Sequence, residues 1–384
     1  MIKRLPVESP VTEYLHAKAA QLGIPLSGSF ELTPLCNLQC RMCYVRMTPS
    51  QVAAHSRPAM TLERWLEVAE QARASGLLYL LLTGGEPFSH PEFPKILAGL
   101  HAMGLLISIN SNGTLIDEET VAWLKKTPPV RVNMTLYGAS NDTYGRLCGL
   151  ANGFDRAVEA IHLLTKADIP VKLNCSLTPY NCGDLEEMFA FARREGLPIQ
   201  ASSYMFPPVR RDPGQVGRNA RFSPEEAAYF AARIEALNNE AAFLMRAAEE
   251  QAHPLNLEDV PCAAADGPGE GMRCRAGKCS FWVTWEGKLL PCGMFPGGTD
   301  VFQCGFARSW ERAKEEAAAI RLSAACKSCV LRTQCRSCAA MAFTECGDYQ
   351  GVPEYRCRMA RAYPDAVRRV QAEIQAKADK EKTV

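Results

Sequence analysis

The sequence predicts an α/β chain, a partial (β/α)6 TIM-like barrel followed by a cysteine-rich C-terminal domain. Three observations carry this. From Phe30 to about Leu237, short apolar runs alternate with amphipathic stretches. The unusual polar motifs follow directly on the apolar runs. The 17 cysteines gather at either end of that alternation.

The strand candidates are Phe30–Thr33, Leu77–Leu82, Leu105–Asn110, Val130–Tyr137, Pro170–Thr178 and Pro198–Met205. LLYLLL is continuously apolar, as a parallel strand covered on both faces should be. The segments between them read as helices. Leu62, Trp65, Leu66 and Ala69 share one face, off which Thr61 falls, and Gly76 stops that helix. Phe154, Val158, Ile161 and Leu164 repeat the pattern, as do Leu185, Met188, Phe189 and Ala192. Six βα units imply a parallel sheet with right-handed crossovers. Six is short of a closed barrel of eight, so a partial barrel is expected, with a doubly wound open sheet as the alternative.

In both architectures ligands bind where strands end. CNLQCRMC follows strand one, TGGEP strand two, NSNGT strand three and LYGAS strand four. CSLTPYN follows strand five and SYMFPPVRR strand six. All six motifs are therefore expected at one mouth.

Lys and Arg total 43 and Asp and Glu 42 in 384 residues, a net charge of +1, so neither nucleic acid nor an anionic membrane surface is expected as a partner. The longest strongly apolar run is the six residues Leu77–Leu82, far short of the roughly 18 of a membrane helix. MIKRLPVESP has no apolar stretch behind its basic start, so no signal peptide is read and a cytoplasmic chain is expected. In a reducing compartment, clustered cysteines read as metal or redox sites. Three lie in Cys36–Cys43 and eleven between Cys262 and Cys357, with Cys148, Cys175 and Cys182 between the groups.

Cys36, Cys40 and Cys43 follow C-x3-C-x2-C, with Tyr44 next. Cubane iron–sulfur clusters are held by thiolates, usually four. Three in one loop cap three irons and leave the fourth open to chelation by an amine and a carboxylate. Zinc competes, but structural zinc takes four closed ligands. No fourth Cys or His is close, although His55 is within reach in sequence.

This motif on the loop after a first strand resembles the radical S-adenosylmethionine (radical SAM) superfamily. The resemblance implies that Cys36, Cys40 and Cys43 bind a [4Fe–4S] cluster whose open iron holds S-adenosylmethionine. An electron from the cluster then cleaves the sulfonium to a 5′-deoxyadenosyl radical, which abstracts hydrogen from a substrate. It also implies a flavodoxin- or ferredoxin-type reductant. Gly84, Gly85, Glu86 and Pro87 match the superfamily motif that contacts the methionine amine. Glycine backbone approaches a ligand closely, and Glu86 offers an acceptor. Asn110, Asn112 and Thr135 stand where related enzymes bind ribose and carboxylate groups, and Arg146 where an arginine contacts the cofactor carboxylate. As plain structure, GGEP and Asn112-Gly113 are also turns.

The second cysteine region runs Cys274, Cys292, then Cys326-x2-Cys329-x5-Cys335-x2-Cys338, then Cys357. Paired C-x2-C units also suit zinc ribbons. The order resembles the SPASM extension of radical SAM enzymes, which holds two auxiliary [4Fe–4S] clusters. The spacing of Cys335 and Cys338 departs from the usual C-x3-C. By resemblance, Cys326, Cys329, Cys335 and Cys357 hold the outer cluster, and Cys274, Cys292 and Cys338 the inner one. Cys279 is the candidate fourth inner ligand; without it the inner cluster keeps an open iron. Cys304 and Cys346 read equally as ligands or packed thiols. Cys148, Cys175 and Cys182 read as core or surface thiols, the last two flanking the strand-five exit.

The expected organisation is an N-terminal extension (1–29), a radical SAM barrel (30–237), a bridging region (238–273), a SPASM domain (274–360) and a charged C-terminal helix (361–384). Three function classes follow. A maturase modifying a ribosomally made peptide by crosslink, thioether or epimerisation fits the resemblance best. A sulfatase-maturase-like enzyme or small-molecule dehydrogenase is the second. The third, a non-catalytic iron–sulfur or zinc protein, does not explain the GGEP and NSNG loops. Sulfatase-activating relatives carry Asp directly after the Cys of the G-x4-C element, where this chain has Gly293. The 29 residues ahead of Phe30 are too few for a leader-binding module, so a separate leader-peptide recognition protein or a leader-independent groove is expected. Tyr204–Asp212 could line the substrate site or serve as a connector. Tyr137, Asp142 and Asp212 are the reachable general-base candidates.

Overall fold

The structure is a computed structural model that describes residues 9–207, 220–252 and 269–383. Cys262, Pro208, Val209, Arg210, Arg211 and Asp212 lie outside the described residues. One sheet contains β1 Ser27–Glu31, β2 Tyr79–Thr83, β3 Leu106–Ser111, β4 Arg131–Thr135, β5 Val171–Ser176 and β6 Ile199–Ser202. It continues through β7 Ser280–Val283, β8 Lys288–Leu290 and β9 Thr299–Asp300. The strand order is β6-β5-β4-β3-β2-β1-β7-β8-β9.

β1 to β6 pair in parallel and in sequence order. A doubly wound sheet reverses its order at a switch point. Across β1 to β6 the order does not reverse, so these six βα units form a partial barrel. β1 begins at Ser27, ahead of the predicted Phe30.

Alternation along the strands separates two faces. Phe30, Leu80, Leu82, Ile107, Ile109, Val132 and Met134 are buried toward the helices. The Phe30 ring lies 5.0 Å from that of Trp65, and both are 0% exposed. Burying each such side chain contributes about 1.5–3 kcal/mol. Ser29, Leu81, Ser108, Arg131 and Asn133 share the opposite face, which lines the barrel lumen.

The helices follow the predicted faces. Leu185–Arg194 buries Leu185, Met188, Phe189 and Ala192. Leu62–Ala74 buries Trp65 and Ala69, and Thr61, off the face, is its N-cap. The Thr61 hydroxyl oxygen accepts from the Arg64 N–H, satisfying a first-turn donor.

The nine-stranded sheet was not legible in the sequence. β7 pairs in parallel with β1, and β8 and β9 continue antiparallel from it. The C-terminal helix runs Glu354–Thr383, so it starts before the expected boundary at 361 and carries Cys357 in its first turn. It packs along Pro224–Asn238, to which the Arg233–Glu373 ion pair ties it at 2.9 Å.

Candidate active site at the barrel mouth

The three-cysteine loop leaves β1 and is held from two sides. On one side, Gln39 and Arg41 donate backbone N–H groups to the Cys148 and Leu147 carbonyls. On the other, Gly85 donates to Thr33 O at 2.6 Å and Glu86 to Leu35 O at 2.9 Å. A Cβ at Gly85 would lie 2.1 Å from Leu35 O. The glycine pair is thus required by the close passage of the cysteine loop.

Glu86 is 0% exposed. Its Oε1 accepts from Phe88 N at 3.1 Å and Ser111 Oγ at 2.9 Å, and its Oε2 from Asn112 N at 2.8 Å. Burial pushes the carboxyl up to about 7 against these hydrogen bonds, which lower it. Glu86 therefore clasps the loop after β2 to the loop after β3.

Asn112 extends the clasp to the cysteines. Its Nδ2 approaches Cys36 Sγ at 3.7 Å and Asn37 Oδ1 at 3.0 Å, and its Oδ1 accepts from Thr114. Asn37 closes the ring by donating to Thr114 Oγ1 at 2.8 Å. Sequence reasoning missed Asn37 and Thr114, which lie inside the CNLQCRMC and NSNGT motifs but are joined only by folding.

The backbone N–H of Leu38 points at Cys36 Sγ (3.4 Å), and that of Arg46 at Cys43 Sγ (3.3 Å). Burial pushes the Cys36 thiol up to about 12, with Glu86, Cys40 and Cys43 adding repulsion. Contact with Cys148, then burial, holds Cys40 well above the thiol range, while Tyr137 opposes this by hydrogen bonding. Burial also keeps the Tyr137 phenol protonated at neutral pH. Tyr137 is a donor to Cys40.

The remaining candidates separate. Pro87 opens the buried 3-10 turn after Glu86. Asn110 accepts from Asn133 Nδ2 at 2.9 Å on the lumen face. Thr135 ends β4, in register with Asn174. Arg146 is 57% exposed and pairs with Asp142 at 3.0 Å, on the outside of the helix Asn141–Cys148. His55 pairs with Glu286 at 3.1 Å, well engaged away from the cysteines. Cys148 is buried beneath the cysteine loop. Cys175 faces Met188 on the helix side of β5, and Cys182 hydrogen-bonds the Pro179 carbonyl.

In the C-terminal half, Cys274 and Cys292 line one cavity, Cys274 and Cys338 a second, and Cys292 and Cys338 pack in one apolar cluster. Cys279 is elsewhere, 0% exposed and packed with Ala19 and Leu26. Cys335 and Cys329 both act on the Cys326 thiol, and Arg356, next to Cys357, donates to Cys335 O at 2.7 Å. Cys304 accepts from Arg312 at 3.4 Å, and Cys346 ends the helix Ala339–Cys346. Gly293 lies against the Trp282 indole, where a Cβ would come within 2.6 Å of Cδ2.

Residues 30–192 match the family described as the Radical SAM superfamily. The chain thus carries a radical SAM domain over these residues. An AdoMet-dependent heme synthase of Methanosarcina barkeri is 26% identical over 86% of this chain and 95% of its own. A PqqA peptide cyclase of Gluconobacter oxydans is 28% identical over 45% of this chain, which spans 47% of that relative. Streptococcus suis SuiB, solved with S-adenosylmethionine, shares the fold at 17% identity and a TM-score of 0.64, over 92% of this chain and 84% of that one.

A radical SAM domain implies a [4Fe–4S] cluster and S-adenosylmethionine. The donor set fits: three thiols share one loop, with N–H groups aimed at two of the sulfurs. Among the described residues, no three His, Cys, Asp or Glu side chains converge on a single ion. A cluster taking one cysteine per iron does not need that convergence. No helix among the described residues is long and apolar enough to cross a membrane.

Proposed function

We propose that this radical SAM enzyme abstracts hydrogen from a peptide substrate held in the barrel lumen. The observation that carries the reading is the continuous Cys36–Asn112–Glu86 network, which joins the cysteine loop to both neighbouring mouth loops. Cys36, Cys40 and Cys43 would hold the cluster, which would supply the electron for reductive cleavage of S-adenosylmethionine. The chain's own part is to orient and shield. Leu38, Arg46 and Asn112 direct N–H groups at the sulfurs, and Glu86 fixes the spacing of the loops. Gly84, Gly85, Pro87, Asn110 and Thr135 are the further groups assigned to the cofactor. Arg146 would have to leave Asp142 to reach it.

Two auxiliary [4Fe–4S] clusters complete the reading. Cys326, Cys329, Cys335 and Cys357 would hold the outer one, and Cys274, Cys292 and Cys338 the inner one. The burial of Cys279 against Ala19 and Leu26 favours an inner cluster with an open iron. The peptide assignment draws on the relative named a PqqA peptide cyclase. A separate leader-recognition protein and a flavodoxin- or ferredoxin-type reductant belong to the same proposal.

A second reading, a small-molecule substrate of the tetrapyrrole kind, is favoured by the alignment to the heme synthase over 95% of that relative's length. The sulfatase-maturase alternative is disfavoured because Trp282 fills the space an Asp at position 293 would need.

The test is anaerobic reconstitution with S-adenosylmethionine and dithionite, measuring 5′-deoxyadenosine beside Cys40→Ala. Release by the native protein alone supports radical chemistry, and no release from iron-loaded protein refutes it. Deuterium transfer into 5′-deoxyadenosine from labelled peptides or from labelled tetrapyrroles then decides between substrates.

A further inference from the structure

Arg131 and Asn133 face the lumen from β4, and Lys172 stands beside Asn133 on β5. The two cations occupy the same face of adjacent strands. Polar residues at every second position are themselves unusual in a parallel strand, which is ordinarily covered on both sides.

Arg131 is aimed by a relay. Its Nε donates to Asn133 Oδ1 at 2.8 Å, and Asn133 Nδ2 donates to Asn110 Oδ1 at 2.9 Å. With Nε engaged, the two terminal nitrogens remain, and they have no hydrogen-bond partner among the described residues. That is the fork that takes a carboxylate on two parallel bonds. Lys172 donates to Gln200 Oε1. Neither cation has a carboxylate partner among the described residues.

The cavity in front of Arg131 has a volume of about 840 Å³. Among the described residues its lining includes Arg131, Arg273 and Arg275 and no Asp or Glu, in a chain whose charges otherwise balance. Glu31, the acid just beyond on β1, accepts from the Trp282 indole at 3.0 Å. Arg273 and Arg275 flank Cys274, and Arg273 already pairs with Glu270 at 2.6 Å. Arg131 stands on β4, four strands from β7 in the sheet order, and its Nε is committed to Asn133. Burial, then the Arg131 charge, holds the Lys172 ammonium below its usual range. Two like charges that disfavour each other in a half-buried wall are stabilised when an anion settles between them.

We propose that Arg131 and Lys172 form a carboxylate-binding subsite in the lumen, so that the substrate is an acid anchored there with its reacting part toward the mouth. This rests on the reading that substrate enters the lumen. The carboxylate belongs to an acidic peptide side chain or to a small organic acid.

The test is equilibrium dialysis of radiolabelled glutarate against the anaerobically reconstituted protein. Unlabelled acetyl-Gly-Glu-Gly-amide and glutaramide serve as competitors. Glutarate is expected to bind, the acidic peptide to compete, and glutaramide not to compete. Arg131→Gln and Lys172→Gln should each weaken binding at least about tenfold, while Arg308→Gln on an exposed helix face should not. Stronger competition by the peptide than by unlabelled glutarate assigns the carboxylate to a peptide; the reverse assigns it to a small acid. The proposal is overturned if Arg131→Gln binds as the native protein does, if Arg308→Gln loses as much, or if glutaramide competes equally. Should Arg131→Gln fail to fold by circular dichroism, Lys172→Gln decides by the same criterion. Dialysis needs no turnover, so its failure is distinct from failure to release 5′-deoxyadenosine.

Discussion

Glu86 accepts the backbone N–H of Asn112 at 2.8 Å, and this bond ties together two loops of the barrel mouth. A glutamine at 86 keeps the shape but has a single acceptor oxygen for three donors. Glu86→Gln is expected to cost about 1–3 kcal/mol, read as a lower midpoint in urea, and to lower 5′-deoxyadenosine release.

The same carboxyl gives the cofactor-free protein a pH dependence. Its raised value, about 7, means that folding favours the protonated form. This contribution is full below the ordinary carboxylate range and is lost as pH rises through about 7. Urea midpoints of the native protein should therefore fall from pH 6 to pH 8 more steeply than those of Glu86→Gln; equal slopes would refute the assignment.

Gly85→Ala should act on the cysteine loop rather than on the second strand. The added methyl meets Leu35 O at 2.1 Å, and the loop carrying Cys36 has to shift. Iron content after reconstitution should drop by about one cluster's worth of the total, with secondary structure by circular dichroism retained.

Cys279→Ser and Cys338→Ala should separate in the same iron assay. If the inner cluster uses Cys274, Cys292 and Cys338 alone, Cys338→Ala lowers iron and Cys279→Ser leaves it unchanged. Cys279→Ser should instead lower stability, because it places a hydroxyl among Ala19 and Leu26. Iron loss in Cys279→Ser would restore it as a ligand.

Gly293→Asp should not install an acid at the inner cysteines. Its Cβ would press on the Trp282 indole, and overpacking of this kind costs about 1–3 kcal/mol. A variant as stable as the native protein would show that the tryptophan yields.

The sequence carried the barrel because local patterns encode it: the apolar run at Leu77–Leu82, the helix face of Leu185, Met188, Phe189 and Ala192, and motifs placed after strands. Cys36, Cys40 and Cys43 were legible because their spacing is local. Arg131 and Asn133 left a visible trace, polar residues alternating in a buried strand, but their meaning depends on Lys172 of the next strand. The closeness of Cys148 to Cys40, the Asn37–Thr114 bond and the passage of Leu35 over Gly85 arise only when distant segments meet. The packing of Cys279 with Ala19 of the helix Pro10–Leu22 is equally non-local.

The pairing of β7 with β1 bears on how this chain can be dissected and made. Ser27 to Phe30 find one hydrogen-bonding neighbour in β2 and the other in residues 280–283. A fragment ending at Asn238 would therefore leave β1 as a bare edge, and bare edges recruit other chains. Such a fragment should precipitate however complete its cysteine loop. During synthesis, the first strand made is among the last to be closed, so the ribosome must release more than 250 further residues, Glu31 to Val283, before the sheet is sealed.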